Sequence, residues 1–91
     1  MYMVVSYDIE DDKRRTRIHR ILKSFGQWVQ YSVFECDLTR GQYLTLRHRL
    51  DDYIKKHDGD NMRFYPLCEE CQKKVERVGG EAPHQNGTII V

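Results

Sequence analysis

Apolar and polar positions alternate between two periods along this chain. Tyr2 to Tyr7 is rich in Val, Met and Tyr and runs straight into Asp8. A short apolar run of strand-forming residues predicts a buried strand with an acidic residue at its C-terminal end. Asp11 or Asp12 then stands where a helix N-cap belongs. Ile18, Ile21, Leu22 and Phe25 recur at i, i+3, i+4 and i+7, one face of a helix, and Gly26 is its expected C-terminal stop. Gln27 to Asp37 carries Trp28, Val29, Tyr31, Val33 and Phe34, which favour extended backbone. The pattern leaves open a single bent strand or a very tight hairpin around Tyr31.

Thr39-Arg40-Gly41-Gln42 has the spacing of a capping box. Tyr43, Leu46, Leu50, Tyr53 and Ile54 then repeat at helical spacing, and Lys55, Lys56 and His57 suit the negative end of that helix. Asp58-Gly59-Asp60-Asn61 is turn chemistry. Met62 to Leu67 reads as another strand, with Pro66 pointing to a sheet edge. Cys68 to Lys74 reads as a turn or helical piece, and Val75 to Val78 as a further short strand. Gly79 to Gly87 holds three of the six glycines and is expected to be a linker. It leads to an apolar strand, Thr88 to Val91, which needs an exposed sheet edge of its own chain or of a partner. The expected organisation is one domain over residues 1–78, followed by linker and terminal strand over 79–91.

Composition supports a small folded protein. The chain has 91 residues, 40% hydrophobic and 32% charged, which excludes global disorder. No apolar run approaches the ~20 residues of a bilayer span, so no membrane association is expected. Met1 to Val5 lacks the basic region of a secretory signal. An odd cysteine count (Cys36, Cys68 and Cys71) points to a reducing cytoplasm.

The net charge of +1 does not announce a polyanion binder; its distribution is more informative. Asp8, Glu10, Asp11 and Asp12 directly precede Lys13, Arg14, Arg15, Arg17 and Arg20. Such a juxtaposition suits a divalent cation beside a phosphate backbone. A solvated, self-compensating helix start is the alternative. The basic residues oppose the helix dipole, at ~0.3–1 kcal/mol each when exposed, which favours a role other than stability. Asp8 is a candidate ligand for a hard cation; equally, it is a turn or helix-approach aspartate. One carboxylate makes a weak site, whereas two copies facing across a dimer axis make a better one. Arg15 and Arg17 fall on different helix faces and can straddle a phosphate backbone. Cys68-Glu69-Glu70-Cys71 is a lone CxxC, two ligands short of a zinc site, and the histidines show no catalytic spacing.

Tyr7-Asp8-Ile9, Asp11 to Arg17, Phe25-Gly26, Val29 to Glu35 and Arg63 to Cys68 together resemble the Cas-two family. This is the small CRISPR-associated protein that accompanies the integrase subunit. The resemblance runs from Met1 to about Val78. It implies an α+β, ferredoxin-like βαββαβ fold in which Gln27 to Asp37 supplies two strands. It also implies a symmetric homodimer whose C-terminal strand docks on the partner protomer. Asp8 matches the family's metal-binding aspartate, with Mg2+ or another divalent cation implied. Tyr7, Arg15, Arg17, Ser32 and Phe34 match positions associated with nucleic-acid contact or cleavage, and Arg14 joins the arginine set. Trp28 stands where family members often carry a basic residue. The activity implied is endonucleolytic hydrolysis of RNA or DNA with participation in spacer acquisition. A non-catalytic DNA scaffold joining integrase dimers is the alternative, and a ligand-binding regulatory module is a third.

Overall fold

The computed structural model describes residues 1–80, 82 and 83. Strand β1 (Tyr2–Asp8) is followed by helix α1 (Asp12–Lys23), strands β2 (Gln27–Gln30) and β3 (Val33–Asp37) and helix α2 (Arg40–Asp51). A 3-10 turn (Lys56–Asp58), strand β4 (Asn61–Leu67) and the short helix α3 (Glu69–Lys73) complete it. The four strands form one sheet in the order β2-β3-β1-β4, every pair antiparallel. This is the βαββαβ arrangement, with β1 central and β4 at an edge, where Pro66 is tolerated.

The alternation of β1 decides what each face does. Met3, Val5 and Tyr7 join Phe34 and Cys36 of β3 in a core completed by Ile18, Ile21, Leu22, Leu46 and Leu50 from the two helices. Val4, Ser6 and Asp8 point to the opposite face, beside Val33 and Glu35 of β3 and Arg63 and Tyr65 of β4. Helices α1 and α2 lie on the core side. The second face is crossed at its Tyr2–Glu35 end by the segment after α3, through Arg77, and its Ser6–Asp8 end carries no helix among the described residues.

Local chemistry accounts for the helix starts. The Asp11 carboxylate accepts from the backbone N–H of Arg14 at 2.9 Å. Thr39 and Gln42 form the reciprocal capping box. Three expectations need correction. Gly26 is not a left-handed stop, because α1 ends at Lys23 with Ser24 as a right-handed cap. Gly26 is needed for close approach: a Cβ there would lie 2.4 Å from Cys36 Sγ and 2.6 Å from the Glu35 carbonyl oxygen. Lys55, Lys56 and His57 do not sit on the end of α2, which stops at Asp51; Lys56 and His57 fall in the 3-10 turn. Val75 to Val78 is not a strand. Arg77 bonds Tyr2 of β1 and Glu35 of β3 instead, so the segment crosses strands rather than running along an edge. The Tyr2 hydroxyl is pushed up to about 12 by burial and by the adjacent Glu35. The expected terminal strand, Thr88 to Val91, lies outside the described residues.

The Gln27–Asp37 segment is a hairpin with a two-residue connection. Tyr31 adopts φ 44, the one positive φ at a non-glycine residue among the described residues. The register slips between Trp28 and Gln30, and the Trp28 indole N–H donates to the Tyr31 carbonyl at 2.9 Å.

Candidate functional site

Asp8 closes the central strand, is exposed, and pairs across the sheet with Asn61. Its carboxylate has no hydrogen-bond or ion-pair partner among the described residues, so both oxygens are free for a ligand. Two of the three neighbouring acidic residues are engaged elsewhere. Asp11 caps α1 and Asp12 pairs with Arg15 at 2.7 Å; the Glu10 side chain lies beside Gly59 with no hydrogen-bond or ion-pair partner among the described residues. No group of three His, Cys, Asp or Glu side chains suited to a metal occurs among the described residues.

The loops flanking Asp8 are held by a residue whose importance the sequence does not reveal. Asp60 is buried. Its carboxylate accepts from the backbone N–H of Glu10 at 2.9 Å and of Lys55 at 2.8 Å. It also receives Arg14 Nε at 3.2 Å and Arg14 Nη2 at 2.9 Å. Burial alone would push this carboxyl upward; the two N–H groups and the guanidinium outweigh it and hold the group below the usual carboxylate range. Arg14 is thus committed to an ion pair that ties the β1–α1 loop to the loop before β4. In sequence, Asp60 is one of two aspartates in a turn tetrapeptide. Only a partner 46 residues away distinguishes it.

The other expected site residues separate into two places and the core. Arg15 braces the loop after Asp8, its Nε and Nη2 donating to the Ile9 carbonyl at 3.2 Å each. Tyr7, Arg15 and Ser32 share a cleft of about 550 Å3 with His19, Arg20, Lys23 and Tyr31. The Tyr7 hydroxyl lies 3.1 Å from His19 Nδ1. Burial raises the Tyr7 phenol, against the opposing pull of Ser32 and Arg15; burial and then Lys23 lower His19. A protonated phenol donating to a neutral imidazole fits both directions. Arg17 turns to the other side of α1, its guanidinium 5.4 Å from the Tyr53 ring centroid. Phe34 is fully buried, which corrects the expectation of direct nucleic-acid contact. It packs under the site, 6.4 Å from the Tyr7 ring and 5.1 Å from His19.

Comparison with known proteins agrees with this geometry. A family model described as CRISPR associated protein Cas2 matches residues 1–75. A CRISPR-associated endoribonuclease Cas2 of Chloroflexus aurantiacus is 43% identical over 90 residues, covering 99% of this chain and 97% of the relative. A CRISPR-associated endoribonuclease Cas2 of Thermus thermophilus is 41% identical, covering 89% and 85%. Among solved structures, Streptococcus pyogenes Cas2 superposes with a TM-score of 0.72 at 34% identity, covering 87% of this chain and 100% of that one.

Proposed function

The chain belongs to the CRISPR associated protein Cas2 family, and from that premise we propose that it is a CRISPR-associated endonuclease acting as a homodimer on RNA or DNA. The relatives named as endoribonucleases support the activity. The single observation that carries the site is Asp8, a free carboxylate fixed at the end of a central strand. The face it occupies carries Val4, Val33 and the half-exposed Tyr65, with Arg77 covering only the Tyr2–Glu35 end. A second copy packed there by a twofold axis brings two Asp8 carboxylates to one place.

Two carboxylates plus waters and substrate phosphate suit Mg2+, which keeps much of its hydration and seldom uses a complete protein cage. Such a cation supplies neutralisation of phosphate charge and activation of water. The chain's own groups do the positioning. Arg15 is 43% exposed and its partner Asp12 90% exposed, so a phosphate can displace that surface pair. Arg17 reaches the backbone on the far side of α1. Arg14 serves the ion pair with Asp60, and Phe34 supports Tyr7. No helix among the described residues is long and apolar enough to cross a membrane; free thiols at Cys36, Cys68 and Cys71 suit the prokaryotic cytoplasm.

A second reading is favoured by the absence, among the described residues, of any group of three side chains suited to a metal. In it the dimer is a DNA-binding scaffold that joins integrase dimers through phosphate contacts, which set register and not sequence. One assay separates the two. Purified protein is incubated with RNA and with DNA, with Mg2+ or with chelator. Divalent-dependent cleavage of either substrate supports the nuclease. Salt-sensitive duplex binding without cleavage of either supports the scaffold. Under both readings Arg15→Gln weakens binding about fivefold on every sequence and lowers the salt slope by about one. A sequence-dependent loss argues against a phosphate role.

A further inference from the structure

Tyr31 is exposed where an aromatic residue is least expected. Its backbone occupies the left-handed region at φ 44, a conformation that costs a bulky L-residue about 1 kcal/mol or more and that glycine or asparagine would adopt more readily. The residue is nevertheless 85% exposed, so little packing offsets the strain. The turn is held in shape by backbone acceptance from the Trp28 indole, a contact that does not need the Tyr31 side chain. It sits at the functional end of β1, where the Tyr7 N–H donates to the Ser32 carbonyl at 3.1 Å. Tyr31 lines the cleft of about 550 Å3 together with Arg15, Arg20 and Lys23. Arg20 and Lys23 have no ion-pair partner among the described residues.

We propose that this cleft is a subsite for an unpaired nucleotide, with Tyr31 as the stacking platform for its base and Arg20 and Lys23 as the seat of its phosphate. An exposed aromatic face beside cations is the arrangement by which proteins hold single-stranded nucleic acid without reading sequence. Bases locked in a duplex do not present a free face, so the subsite favours a single strand or a splayed end over a blunt duplex. The proposal rests on the nucleic-acid reading above and adds to it a preference for unpaired substrate near Asp8.

Tyr31→Gly and Tyr31→Phe test it. Full-length wild type and both variants are titrated with a mixed-sequence single-stranded oligonucleotide, with the same strand in a blunt duplex, and with adenosine monophosphate, alongside thermal melts. Tyr31→Gly is expected to melt no lower than wild type, since glycine suits the backbone. It should lose roughly five- to a hundredfold in single-strand affinity, with duplex affinity unchanged. Tyr31→Phe should behave as wild type. Unchanged single-strand binding by Tyr31→Gly, or an equal loss on the duplex, overturns the subsite while leaving nucleic-acid binding intact. Tight binding of adenosine monophosphate with no preference for single strands overturns its assignment to a strand. If the wild type binds neither single strand nor duplex, the nucleic-acid reading fails together with the subsite.

Discussion

Asp8→Asn should reduce phosphodiester cleavage by about two to three orders of magnitude and leave folding and dimerisation intact. The expectation follows from placement. Asp8 is exposed, has no partner among the described residues whose loss would destabilise the fold, and lies at the end of a strand fixed by neighbours on both sides. The amide is nearly isosteric but contributes no negative charge to a cation. Asp11 and Asp12, engaged with Arg14 N–H and Arg15, do not substitute for it. Cleavage assays on saturating RNA and DNA, paired with light scattering for dimer mass and a thermal melt, check this directly. Cleavage within tenfold of wild type would remove Asp8 from the chemistry.

Asp60→Ala is expected to have the largest effect on stability, about 3–5 kcal/mol, with a fall in melting temperature above about 10 °C. The substitution leaves the Arg14 guanidinium and the N–H groups of Glu10 and Lys55 without their common acceptor. Arg14 retains only the exposed Asp58 at 3.5 Å. The pH dependence has a definite sign. The folded carboxyl lies below its ordinary value, so its contribution is fully present above the unfolded value near 4 and is lost as pH falls through the folded one. Denaturation of wild type and Asp60→Asn from about pH 7 to about pH 3 isolates this contribution. The wild type should lose stability over the acid end of that range more steeply than the variant. Parallel curves would show that the ion pair does not contribute to folding.

Much of the architecture is legible because periodicity is local. Met3, Val5 and Tyr7 alternate, Ile18, Ile21 and Leu22 follow helical spacing, and Asp11 and Thr39 are good caps. The parts that were not legible depend on partners distant in sequence or on uncommon backbone. Tyr31 hides a hairpin because it is not a turn residue, yet takes a positive φ. Asp60 looks like one more turn aspartate until Arg14 and two loop N–H groups converge on it. Gly26 has the position of a helix stop but is small because Cys36 and Glu35 approach it. Phe34 matches a functional motif and serves it from the core, beneath Tyr7 and His19. The site itself was half legible. Its free carboxylate and bracing arginine follow from the Tyr7 to Arg17 stretch, whereas the cleft with Arg20, Lys23 and Tyr31 needs β3 to bring Ser32 beside Tyr7.

The measurement closest to the central claim is the stoichiometry of cation binding to the wild-type protein, with Mn2+ followed by electron paramagnetic resonance as the probe. Twofold pairing of Asp8 predicts one bound ion per two chains, lost in Asp8→Ala at unchanged dimer mass. One ion per chain, or binding that survives Asp8→Ala, would contradict it.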